Sequence, residues 1–149
     1  VGWAAAGRFT QAVARQKLTT SLSTNAPAQA ALAHYLEGVG FDKHLRGLRQ
    51  RLASQEAALV AAVEAHFPDG TRLARPEGGY FLWLELPPQV DALRLHQAAL
   101  AAGISLAPGP IFSATREFGH CIRLNFGHPD PARQRAAVET LGKLVAAQL

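Results

Sequence analysis

The amino-acid sequence predicts an α/β (α+β) fold: a short sheet, mostly antiparallel or mixed, covered by helices and preceded by a long amphipathic helix. Three observations predict it. Leu45, Leu48, Leu52, Leu59 and Val63 recur at intervals of three, four or seven residues, with Arg46, Arg49, Arg51 and Glu56 on the other faces. Pro68-Asp69-Gly70 then ends that period. From Thr71 onward the order reads strand, strand, helix, strand, strand, helix, the pattern of helices laid over one face of a small sheet.

Taken in order, Val1 to Ala6 is a short apolar run closed by Gly7 and is expected as a buried strand. Phe9 to Leu18 follows as a helix, and the Ser/Thr/Asn run Thr19 to Asn25 as a loop. Asn25 is placed to cap a helix with Pro27 in its first turn, running to about Glu37, where Gly38 and Gly40 break or bend it. Asp42 is expected to cap the long helix, which runs to about Phe67.

Thr71 to Ala74 is a candidate strand and Pro76-Glu77-Gly78-Gly79 a turn. Tyr80 to Leu86 is an aromatic and aliphatic strand stopped by Pro87-Pro88. Val90 to Ala102 reads as a helix with Leu93, Leu95 and Leu100, closed by Gly103. Ile104 to Ala107 is expected as a strand, Pro108-Gly109-Pro110 as a rigid loop, and Cys121 to Phe126 as a strand with clean alternation. Asp130 caps a last helix with Pro131 at its first position and a stripe of Val138, Leu141, Leu144 and Val145.

Composition narrows the function classes. The net charge is +4, but the arginines are spread along helices rather than gathered into the tight or aromatic-interleaved tract that nucleic acid requires. No apolar run reaches the ~20 residues of a membrane span. The single cysteine, Cys121, rules out an internal disulfide framework and fits a reducing, cytoplasmic setting. The six histidines show no metal-ligand spacing, so no metal site is expected. With no methionine and Val at position 1, the sequence is expected to be a segment of a longer chain.

The residue with most chemical content is Arg123. In Cys121-Ile122-Arg123-Leu124-Asn125-Phe126 a period of two places Ile122, Leu124 and Phe126 on one face and Arg123 with Asn125 on the other. A guanidinium there must meet water, a protein carboxylate or an anionic ligand, and its planar fork matches a carboxylate held through two bonds. Pattern alone leaves the three open. Gly78 and Gly79 permit close backbone approach or positive φ, or simply form a turn into the next strand. Pro108 and Gly109 belong to a stiff loop able to wall a pocket, and Ser23 and Thr24 carry hydroxyls able to meet a phosphate.

Four motifs in order resemble the C-terminal third of fold-type I aminotransferases, the enzymes of pyridoxal phosphate (PLP). They are Val1-Gly2-Trp3, Pro76-Glu77-Gly78-Gly79-Tyr80-Phe81-Leu82-Trp83, Gly103-Ile104-Ser105-Leu106-Ala107-Pro108-Gly109 with Phe112, and Cys121-Ile122-Arg123-Leu124-Asn125-Phe126. Phe41 to Arg49 and Ala107 to Ser113 are most similar to the MocR branch of GntR-type transcriptional regulators, with aminotransferases of the 2-aminoadipate type sharing much of the pattern.

The resemblance implies the small C-terminal domain of the aminotransferase fold over 71–149, interdomain helices over 26–70, and a remnant of the large PLP-binding domain over 1–25. It also implies that Arg123 grips the α-carboxylate of an amino acid, that Gly78, Gly79, Pro108 and Gly109 wall the pocket, and that Ser23 and Thr24 lie near the cofactor phosphate, across a homodimer. DNA would be bound only through an N-terminal winged-helix domain. The lysines present, Lys17, Lys43 and Lys143, do not match the family's cofactor lysine, so no catalytic residue is expected among these 149 and no transamination by them alone.

Overall fold

A computed structural model describes residues 1–149, which divide into two compact units, Val1–Leu48 and Arg49–Leu149. The division falls inside the long helix.

The first unit is helical. Val1 to Ala6 forms no strand, and Trp3 is 90% exposed. The expectation of a buried strand is corrected here for a simple reason: a strand needs a neighbour to satisfy its N–H and C=O groups, and this unit contains no other strand. After a short 3₁₀ turn come α1 (Thr10–Thr20) and α2 (Ala26–Glu37). α1 runs two residues past Leu18, and within it the Thr20 hydroxyl donates back to the Gln16 carbonyl at 2.8 Å. Asn25 caps α2, its Oδ1 accepting from the Ala28 N–H at 3.0 Å. The long helix, α3 (Val39–His66), begins four residues earlier than expected. Asp42 is therefore not its cap but lies in its first turn, where a carboxylate favours the helix dipole, and Gly40 is inside the helix.

The second unit holds the sheet: β1 (Arg72–Ala74), β2 (Phe81–Glu85), β3 (Ala107–Pro108) and β4 (Cys121–Asn125) in the order β1-β2-β4-β3, antiparallel throughout. One face packs against α3, α4 (Ala92–Ala101) and α5 (Pro131–Ala146) through Leu82, Leu84, Ile122, Leu124 and Phe126 meeting Leu59, Val63, Leu95, Val138, Leu141 and Val145. Two aspartates start the covering helices: Asp91 Oδ1 accepts from the Leu93 and Arg94 N–H groups, and Asp130 Oδ1 from those of Ala132 and Arg133.

One face is defined here and one expectation changes. Leu93 and Leu100 point outward from α4, whose buried face is Ala92, Leu95 and Ala99, at intervals of three and four. The strand expected over Ile104 to Ala107 shrinks to Ala107–Pro108. Its first residue is already committed: Gly103, at φ +74°, donates to the Leu100 carbonyl and Ile104 to the Ala99 carbonyl, the paired bonds that close a helix C-terminus. The loop after it is a 3₁₀ turn, Gly109–Phe112.

Gly109 decides how that turn sits. A β-carbon there would collide with the Phe118 carbonyl oxygen and lie 2.9 Å from the Cys121 carbonyl oxygen, both unyielding backbone. Gly109→Ala is expected to lower unfolding free energy by about 1–3 kcal/mol, read from urea denaturation, since an overpacked site must move main chain.

Candidate carboxylate site on the open face of the sheet

The register of β2 and β4 sets Phe81, Trp83 and Glu85 opposite Asn125, Arg123 and Cys121. Opposed residues of an antiparallel pair share a face, so these six side chains line the face of the sheet that is not packed into the helical core. Ala74 from β1 and Ala107 from β3 flank the row at the Trp83–Arg123 level, small residues that leave room beside larger ones.

Arg123 is the centre of this face. Its guanidinium carbon lies over the Phe81 ring at 4.1 Å and the Phe112 ring at 4.7 Å. Trp83 meets Phe112 and Phe118 edge-on, at centroid distances of 5.7 and 5.5 Å. The ion pairs of the chain are Arg72–Glu85, His120–Glu85 and Lys143–Glu139; Arg123 is in none of them. Rings over the plane of a guanidinium engage its π faces and leave its in-plane N–H fork for an acceptor. One of the three alternatives left by the sequence is thereby removed: the arginine is half-buried among aromatics and has no protein carboxylate. Asn125, on the same face, has its Oδ1 bonded to the Gly127 N–H at 2.6 Å, which fixes the amide with Nδ2 as its free end.

The other residues singled out in the sequence fall as follows. Gly78 and Gly79 are exposed in the loop that enters β2, Gly79 at φ +89°, and nothing occupies the space a β-carbon would take at either. Pro108 is paired with Ile122 and so faces the core, while Gly109 is buried under the Phe118–Cys121 backbone. Gly109 leaves room for the Phe118 carbonyl and opens the turn that ends at Phe112. Ser23 and Thr24 belong to the first unit, in the loop between α1 and α2. Sequence reasoning missed Phe118, which sits in a loop with no periodicity to expose it. Its φ of +62°, and that of +59° at Arg116, are outliers that no sequence pattern signals for such residues.

At the far end of the face Glu85 lies 3.7 Å from Arg72, an exposed and weak contact, and 3.4 Å from His120, a partly buried one. Burial pushes the Cys121 thiol above its ordinary value, reinforced by the Glu85 carboxylate and opposed by a hydrogen bond with Trp83. Such a thiol stays protonated and is a structural group, not a nucleophile. A cavity of about 770 Å³ opens on the helical side, between α5 and the Ala102–Ser105 turn, and does not include Arg123.

The chain's own amines lie elsewhere. Lys143 is on α5 and pairs with Glu139 at 2.7 Å, whereas Lys17 and Lys43 belong to the first unit, Lys17 donating to the Leu22 carbonyl. The open face presents an arginine with no protein carboxylate and supplies no amine that would hold PLP.

The helices over one face of an antiparallel sheet, together with the family and structural matches, define the class of protein: an aminotransferase-type domain. The chain belongs to the family of class I and II aminotransferases, whose profile matches residues 1–141. It is 39% identical to the HTH-type transcriptional regulator YdcR of Escherichia coli K12, covering all of this chain and 32% of that protein. It is 30% identical to aromatic-amino-acid aminotransferase 1 of Thermococcus litoralis, covering all of this chain and 36% of the enzyme. Among solved structures, the kynurenine aminotransferase of Pyrococcus horikoshii, in complex with PMP, superposes with a TM-score of 0.88 over 95% of this chain and 35% of that one, at 27% identity. The chain thus spans about a third of the length of the relatives it matches. PLP is the cofactor that this family implies. No helix of the chain is long and apolar enough to cross a membrane.

Proposed function

We propose that this chain is the ligand-gripping part of the aminotransferase-like effector domain of a GntR/MocR-type transcriptional regulator. The observation that carries the reading is the Arg123 guanidinium, set against the Phe81 and Phe112 rings with no carboxylate of its own. In the intact protein Arg123 takes the α-carboxylate of an amino acid, Asn125 stands beside it, and the Gly78–Gly79 loop lines the mouth. PLP is held by residues outside these 149, in a homodimer to which the Ser23–Thr24 loop contributes near the cofactor phosphate. DNA is bound by an N-terminal winged-helix domain, and amino-acid binding at the effector domain changes its grip on the operator. The likeness to YdcR favours this reading over that of an enzyme.

The second reading is a PLP-dependent aminotransferase that moves an amino group between an amino acid and a 2-oxo acid, favoured by the likeness to the Thermococcus enzyme. The complete gene product, loaded with PLP, decides between them. A regulator retards its own promoter DNA in a gel, and the retardation changes on adding an amino acid in the wild type but not in Arg123→Ala. An enzyme consumes the amino acid with 2-oxoglutarate and leaves the DNA unretarded.

A further inference from the structure

Arg123 is oriented without an acid. The ion pairs of the chain all leave it out, so no carboxylate anchors its guanidinium. Two rings meet it instead. The guanidinium carbon lies 4.1 Å from the centroid of Phe81 and 4.7 Å from that of Phe112.

The two rings are held in different ways. Phe81 is fixed by the register of β2 on β4, opposite Asn125. Phe112 comes from outside that pair, at the last position of the 3₁₀ turn Gly109–Phe112. Two features seat it. The turn closes against the Phe118 and Cys121 carbonyls because Gly109 has no β-carbon. The Phe112 ring then meets Trp83 at 5.7 Å and an interplanar angle of 68°, an edge-to-face arrangement of the kind aromatic pairs prefer. Trp83 stands directly opposite Arg123 across the β2–β4 pair and is itself met edge-on by Phe118, at 5.5 Å and 88°. Phe112 therefore touches both the clamp and the clamp's cross-strand neighbour.

We propose that Phe112 is a positioning residue for Arg123: with Phe81 it holds the guanidinium in the orientation that receives a carboxylate, before the ligand arrives. This rests on the reading of Arg123 as the carboxylate clamp and adds the residue that readies it. An arginine side chain has many rotamers, and freezing them on binding reduces affinity. A side chain already held by ring faces has less freedom left to lose. The attraction needs the electron-rich face of a ring, which an aliphatic side chain of similar bulk lacks. Because Phe112 acts through Arg123, its removal weakens the bond to the carboxylate and leaves the ligand's other contacts alone.

The test uses the complete gene product loaded with PLP, titrated by cofactor absorbance with L-alanine and with ethylamine, the same amine without its carboxylate. Phe112→Leu is expected to weaken alanine binding about tenfold and ethylamine binding by less than about twofold. Phe112→Tyr, which keeps the ring, is expected to bind alanine nearly as the wild type does. In an Arg123→Ala background Phe112→Leu is expected to add no further loss, since the two residues act as a unit. Thermal melts establish that each variant folds, and Phe81→Leu, which removes the other ring, is expected to follow the same pattern.

An undiminished alanine affinity in Phe112→Leu, equal weakening of both probes, a Tyr variant as weak as the Leu variant, or losses that add to those of Arg123→Ala would each overturn the positioning role while the clamp stands. Wild-type protein that binds alanine no tighter than ethylamine, or an Arg123→Ala variant that binds alanine as well as the wild type, would overturn the clamp and this inference with it.

Discussion

Arg123→Ala is expected to weaken carboxylate binding about 100-fold while leaving the fold nearly as stable as before. The two halves of that expectation have separate causes. A charge-assisted, two-pronged bond to a carboxylate in a half-desolvated site is worth about 3 kcal/mol, and each 1.4 kcal/mol is about tenfold in affinity. The side chain contributes little to stability, because it pairs with no carboxylate; only its stacking on Phe81 and Phe112 is lost, about 1 kcal/mol. Arg123→Lys keeps the charge but loses the planar fork and the stack, and is expected to fall between the two. Titration of amino-acid binding to the PLP-loaded gene product, with thermal melts of each variant beside it, checks both halves. An Arg123→Ala variant that binds the ligand as well as the wild type would remove the site from this face.

Phe126→Ala is expected to cost about 4 kcal/mol of unfolding free energy, through lost burial and the cavity left behind. Phe126 follows β4, is 1% exposed, and donates its N–H to the Tyr80 carbonyl at 3.0 Å, so the sheet is fixed around the hole that truncation leaves. A domain of this size holds about 5–15 kcal/mol in total, so the variant stands close to unfolding. Leu100→Ala is the internal comparison. Leu100 is equally apolar but 51% exposed on α4, and its truncation is expected to change stability by no more than about 0.5 kcal/mol. Urea midpoints followed by circular dichroism read both.

The contrast between Phe126 and Leu100 shows where the sequence is legible. Strand alternation in Cys121 to Phe126 has a period of two and a single buried face, so Ile122, Leu124 and Phe126 fall in the core and Arg123 on the open side by pattern alone. The α4 stripe is harder to read, since three leucines among many alanines fit a helical face only loosely and the sheet prefers the flat Ala92–Leu95–Ala99 surface. Caps and breakers are as readable as the strand: Asn25, Pro87-Pro88, Gly103 and Asp130 act through local geometry, within one turn of themselves.

By itself, then, the sequence determined the succession of helices and strands after Gly7, the two faces of β4, and the isolation of Arg123 from the apolar row. Those depend on periodicity and on residues whose backbone preferences are intrinsic. Only the tertiary structure decided the surroundings of Arg123: the ring stack of Phe81 and Phe112, the edge-on Trp83, the strained Phe118, and the burial of Gly109 beneath it. These are meetings between segments tens of residues apart, set by strand register and by the one place where a missing β-carbon lets two backbones close, and neither leaves a mark in local pattern.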